Sequence, residues 1–173
     1  FYQSVFKFLP PLNILIDGNF FASLYKKKME IKSELSKVLN QIVNLVITPC
    51  VVNELKQFET IFPGITNNIM KFKLHDCNHQ SNPDVKTPSD CILDLLGSKN
   101  KDKFYVATLD INLRKIIRKN VPICPVIFLD QSVIMIEKPS KDCMSAYNKR
   151  EELKSDPIKN ERKFIKESKA EAA

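Results

Sequence analysis

"NILIDG", Asn13 to Gly18, is a short apolar run closed by Asp-Gly, and it reads as a buried strand that enters a turn. A strand without polar alternation suits a parallel sheet covered on both faces. Downstream, Phe20 to Leu39 turns helical in two pieces, with Leu24, Ile31, Leu35 and Leu39 facing inward and Lys26, Lys27 and Lys28 facing water. "LVITP", Leu45 to Pro49, is the second strand. Pro49 cannot donate to a sheet ladder, but its fixed backbone suits the start of a helix carrying Val51, Val52, Leu55 and Phe58.

A further apolar helix is expected around Ile65 to Phe72. "TPSDCILDLLG" carries its own start and stop signals: Thr87 as N-cap, Pro88 at the first position, Asp90 completing a capping box, and Gly97 at the end. "KFYVATLD" is then a strand, "INLRKIIRK" a helix, "PVIFLD" a strand and "VIMIEK" a last strand. Strands alternating with helices predict a three-layer α/β domain with a mainly parallel sheet, spanning residues 1–138. From Pro139 to Ala173 the sequence becomes charged and mixed, and we expect a helical or disordered tail.

The chain has 173 residues, 43% of them hydrophobic, enough for one globular domain and some extra chain. No apolar run reaches the eighteen or so residues of a membrane helix, so we expect a soluble protein without a membrane partner. The first residue is Phe1 rather than Met, so the chain reads as a trimmed piece, and any upstream targeting signal lies outside it. Formal charge is +7. The residues from Pro139 on hold nine Lys/Arg and seven Asp/Glu, which leaves +5 to the domain and favours polyanionic partners. Five cysteines, an odd number, argue for reduced thiols, some of them metal ligands.

In a parallel sheet, chemistry gathers outside the carboxyl ends of the strands. That rule selects Asp17 at the end of the first strand, Asp110 after "VATL", Glu54 one turn beyond Pro49, and Asp90 in the first turn of a later helix. Four carboxylates at one sheet edge would repel one another unless cations such as Mg²⁺ or Mn²⁺ sit between them. The implied chemistry is phosphodiester hydrolysis by a metal-activated water. The plainer reading makes Asp17 a turn residue, Asp90 and Asp110 helix caps, and Glu54 a solvated helix residue.

"HDCNHQSNPDVKTPSDC", His75 to Cys91, has two histidines, two cysteines and almost nothing apolar to bury. Cys and neutral imidazole are good Zn²⁺ ligands, and a four-ligand zinc site would replace the missing core. His75 shares strand parity with Cys77 and His79 and competes with Cys50 for a fourth position. Cys124 and Cys143 have no partner in sequence. For polyanion contact, "LRKIIRKN" puts Arg114, Lys115, Arg118 and Lys119 along one broad helical face, beside the Lys26–Lys28 cluster.

"ILIDGNF", "VVNELK", "PSDCILDLL" and "YVATLDINLRKIIRK" followed by "VPICPVIFL" resemble the PIN-domain proteins of the small-subunit processome, over roughly Val5 to Pro139. Within that group the Utp type adds a CCHC zinc site, and "CNHQSNPDVKTPSDC" resembles its zinc-bearing insertion, about residues 74–91. The resemblance implies Cys50, Cys77, His79 and Cys91 as zinc ligands, and pre-rRNA, small nucleolar RNA and processome proteins, reached through the tail, as partners in the nucleolus of the nucleus. It leaves two activities open. One is RNA binding by a PIN domain in pre-rRNA processing, and the other is metal-dependent endoribonuclease cleavage by Asp17, Glu54, Asp90 and Asp110. Members of the Utp type can have degenerate acidic sites, whereas this sequence retains all four acids.

Overall fold

The structure, a computed structural model, describes residues 1–79 and 87–155. Residues 80–86 of the predicted zinc-bearing insertion and the last eighteen residues of the predicted tail lie outside these. The described residues form a six-stranded sheet in the order β3-β2-β1-β4-β5-β6. β1 (Leu12–Ile16), β2 (Val43–Ile47), β3 (Lys73–Leu74), β4 (Tyr105–Ala107) and β5 (Val126–Asp130) run parallel. β6 (Val133–Ile136) is antiparallel to β5. Only the two residues Gln131 and Ser132 join them, with Gln131 at a φ of 54°. A connection that short permits a hairpin and excludes a parallel crossover.

Successive residues of β1 serve opposite faces of the sheet, as the twofold strand period demands. Ile14 and Ile16 join Leu45 and Ile47 in one apolar cluster with Phe20, Leu24, Leu35 and Leu55. Leu15 joins Val46 and Val106 in another with Ile92, Leu96, Leu113 and Ile117. The first cluster is covered by α2 (Gly18–Lys26), α3 (Ile31–Leu39), α4 (Pro49–Lys56) and α5 (Ile65–Ile69), the second by α6 (Pro88–Leu96) and α7 (Ile111–Asn120). The three layers anticipated from the alternating pattern are these.

The helical stretch after Phe20 breaks where Lys28 adopts a left-handed φ of 55°. Leu39 is only partly buried against the core. α5 stops at Ile69, short of the predicted Phe72, and the chain then enters the two-residue strand β3, too brief to show a period. An N-terminal helix, α1 (Tyr2–Phe6), also went unread. Its Tyr2 and Phe6 pack on the core, and nearby Phe8 meets Tyr105 edge to face at 5.3 Å. The chain divides after Pro139 into two compact units, and the described part of the second contains the helix α8 (Lys141–Ser155).

Candidate acidic site and metal centre

β1 feeds α2 on one face of the sheet, whereas β4 feeds α7 on the other. The two strands are neighbours, so the carboxyl ends of β1 and β4 flank the point where the strand order reverses, the usual crevice of a parallel sheet. Asp17 lies there, 2% exposed. Its backbone N–H donates to Ala107 O at 3.0 Å, and its Oδ2 accepts from the Thr108 hydroxyl at 2.6 Å. Burial holds the Asp17 carboxyl above the ordinary aspartate range; the Thr108 and Gly18 hydrogen bonds oppose that shift and the charge of Asp110 adds to it.

Glu54 reaches the same place from α4. Burial raises its carboxyl too, and the charge of Asp17 adds to the shift. Its Oε2 is buried with no hydrogen-bond partner among the described residues. The approach is so close that a Cβ at position 18 would stand 2.2 Å from that oxygen, which explains the glycine after Asp17. An orphaned carboxylate oxygen beside a second buried carboxylate fits a hard divalent cation such as Mg²⁺ or Mn²⁺.

Asp110 caps α7, its Oδ1 accepting from the N–H groups of Asn112 at 2.8 Å and Leu113 at 3.2 Å, while Oδ2 accepts from the Ser89 hydroxyl at 3.3 Å. Thr108 completes a chain, because its Oγ1 also accepts from Asp110 N–H at 3.0 Å. Asp90 is arranged differently. Its Oδ2 accepts from the Thr87 N–H at 3.0 Å and the Thr87 hydroxyl at 2.7 Å, closing the predicted capping box. Asp17 thus interacts with both Glu54 and Asp110, and among the described residues Asp90 approaches this group through the neighbouring Ser89.

The thiols form a second centre. One ligand atom from each of Cys50, Cys77, His79 and Cys91 lies within 4.8 Å of the others. Cys50 is the second residue of α4, Cys91 lies in the first turn of α6, and Cys77 and His79 follow β3. Cys50 Sγ is 3.7 Å from Cys77 Sγ and 4.0 Å from His79 Nδ1. Two thiolates on one tetrahedral zinc, each about 2.3 Å from the metal, stand about 3.8 Å apart, so spacing and donor set both fit Zn²⁺. Burial works against the Cys77 thiolate, but the His79 N–H and the neighbouring thiols bring it below the ordinary cysteine range. Burial pushes Cys50 and, further, Cys91 upward. Such thiols ionise together only when a cation shares their charge. His75 stands apart from the cluster, its ring edge to face with Phe104 at 5.7 Å.

The sequence profile of the Fcf1 family matches residues 37–138, more than half of the chain. The chain belongs to the Fcf1 family. The rRNA-processing protein utp23 of Schizosaccharomyces pombe is 26% identical over 173 residues, covering 99% of this chain and 65% of that relative's length. The solved structure of the PIN domain endonuclease Utp24 superposes with a TM-score of 0.64 at 27% identity, covering 75% of this chain and 94% of its own. The three-layer domain is therefore a PIN fold.

The basic residues of this Fcf1-family chain divide into engaged and open groups. Arg114 Nε donates to Glu137 Oε1 at 2.6 Å, and Arg118 Nη1 donates to Glu137 Oε2 at 2.7 Å. The Arg114 guanidinium also lies 4.1 Å from the Phe128 ring centroid. Lys27 donates to Gln131 O and, at 2.9 Å, to Ser132 Oγ, so it ties α2 to the β5–β6 turn. Lys26, Lys28, Lys115 and Lys119 are exposed. Thr108, Ser89 and Asp94 join these sites through contacts the sequence pattern did not announce. Thr108 carried one signal, a hydroxyl two residues before an aspartate N-cap at a strand end; Ser89 and Asp94 carried none.

Proposed function

We propose that this chain acts in small-subunit pre-rRNA processing during ribosome biogenesis, as an RNA-binding PIN domain with a structural zinc. One observation carries the reading: nearly the whole chain aligns with an rRNA-processing relative. Cys50, Cys77, His79 and Cys91 would hold the zinc, which brings the segment after β3 against the helices α4 and α6. Lys115 and Lys119 on α7, with Lys26 and Lys28 across the fold, are the open cations for phosphate contact. The partners are pre-rRNA and small nucleolar RNA, together with processome proteins reached through residues 139–173, in the nucleolus.

A second reading is favoured by the orphaned Glu54 Oε2. In it, Asp17, Glu54 and Asp110 hold Mg²⁺ or Mn²⁺ and the chain cuts pre-rRNA. The cation would supply an activated water and charge stabilisation at the phosphate. Asp90 would act mainly by fixing the start of α6.

One experiment separates the two: Mn²⁺-dependent cleavage of single-stranded pre-rRNA fragments by the purified chain, beside Asp17→Asn and Asp110→Asn. Cleavage lost in both variants with RNA binding retained supports the nuclease reading. Binding without cleavage at any Mn²⁺ concentration supports the RNA-binding reading, and a chain that does neither overturns both.

A further inference from the structure

Among the four clustered ligands, His79 engages partners through both ring nitrogens. Its Nδ1 faces Cys50 Sγ at 4.0 Å, and its Nε2 lies 2.7 Å from Asp94 Oδ2. The imidazole is nearly enclosed, at 4% exposure, while the Asp94 side chain is 62% exposed and reaches inward to meet it. Asp94 sits on α6 three residues after Cys91, so both project from one helical face. A single helix thus presents a ligand and, one turn on, a carboxylate to the ring of another ligand.

We propose that Asp94 is the positioning residue of the metal centre, holding His79 with its proton on Nε2 so that the Nδ1 lone pair faces the metal. A neutral imidazole has one donor and one acceptor nitrogen. A carboxylate at 2.7 Å accepts only from a protonated Nε2, which leaves Nδ1 to coordinate. The same contact fixes the ring plane, as carboxylate partners of metal-bound histidines do. The inference rests on the zinc reading and adds to it a residue outside the ligand set.

The test compares zinc affinity in the full chain, by competition with a chromogenic chelator, for wild type, Asp94→Ala, Asp94→Asn and the surface control Asp102→Ala. Asp94→Ala should bind zinc about 10- to 100-fold more weakly. Asp94→Asn, whose amide oxygen still accepts the Nε2–H bond, should lose less, and Asp102→Ala should match wild type. Nitrogen-15 spectra of zinc-loaded wild type should show His79 protonated at Nε2 with that N–H shielded from solvent exchange, and zinc-loaded Asp94→Ala should lose the shielding. If Asp94→Ala does not fold, Asp94→Asn and the wild-type spectrum carry the test. Zinc affinity unchanged in Asp94→Ala, or a wild-type His79 protonated at Nδ1, overturns the positioning role and leaves the zinc centre standing. A wild type that binds no zinc overturns both.

Discussion

The Thr108 hydroxyl donates a 2.6 Å hydrogen bond to Asp17 Oδ2 and so joins the carboxyl ends of β1 and β4 where the strand order reverses. The bond satisfies one oxygen of a carboxylate that is 2% exposed, without supplying a positive charge. The folded chain therefore holds Asp17 protonated more readily than the unfolded chain does.

That sets a pH dependence. Folded-state uptake of a proton means stability is lost as pH rises from the ordinary aspartate value of 3.8 through the raised native value. Asp17→Asn keeps an acceptor for Thr108 and removes the charge. In metal-free buffer, thermal melts should show Asp17→Asn gaining on wild type between acid and neutral pH, by at least about 2 °C at neutrality. Added Mn²⁺ should raise the wild-type midpoint and leave the variant's unchanged. Parallel pH profiles for the two proteins would remove Asp17 as a source of the dependence.

Gly18→Ala should separate metal binding from stability. The new methyl group would meet Glu54 Oε2 at 2.2 Å, but that oxygen ends a flexible side chain that can swing away. Urea melts should show a cost below about 1 kcal/mol, while Mn²⁺ binding falls at least about tenfold. In the Glu54→Ala background the same substitution should cost less, because the clash is gone. Mn²⁺ binding by Gly18→Ala at wild-type strength would show that Glu54 does not hold the ion from this position.

Zinc should be part of the fold. Elemental analysis is expected to find about one zinc per chain, and Cys77→Ser or Cys50→Ser should lose it, whereas His75→Ala should keep it. Structural zinc contributes about 10–16 kcal/mol of apparent binding energy in small fingers, so chelation should lower the melting temperature far more than a surface substitution does. A metal-free wild type that melts as sharply as before chelation would contradict the expectation.

The α7 cations should behave as two classes. Arg114→Ala removes a bond to a Glu137 side chain only 9% exposed, together with the Phe128 contact. It should cost about 1–3 kcal/mol in stability. Lys115→Ala and Lys119→Ala should leave stability within about 0.5 kcal/mol. If each contacts a phosphate, each should also flatten the salt dependence of RNA binding, by about 0.7 in the logarithmic slope for single strands. Equal effects of Arg114→Ala and Lys115→Ala on stability would erase the distinction.

Much of this was legible because its causes are local. Thr87 and Asp90 close a capping box whose partners lie three residues apart, and Pro88 and Gly97 mark the ends of α6. The strands of the parallel core announce themselves through continuous apolar runs, since both faces are covered. β3 and α1 were not legible: one is two residues long, and the other is a short helix with no side-chain cap to mark its start. The inward-facing positions of α2 and α3 were readable, but the left-handed turn at Lys28 that separates them was not.

The sequence by itself determined the alternation of strands and helices, the acids that end β1 and open α7, and a polar segment rich in metal-ligand side chains, all properties of residue type and near spacing. Only the tertiary structure decided which of those groups meet. Cys50, 27 residues from Cys77, arrives because α4 starts where β2 ends and β3 is the strand paired with that end, while His75 turns instead to Phe104. Arg114 and Arg118 are drawn to Glu137, which follows a strand 13 residues beyond the helix and is brought alongside it by the β5–β6 hairpin. Asp90 is held by its own cap, whereas Glu54 is left with an orphaned oxygen against Gly18. Contacts between residues far apart in the chain depend on how packed layers bring elements together, and a one-dimensional pattern of charges and apolar residues does not encode which side chain fills which gap.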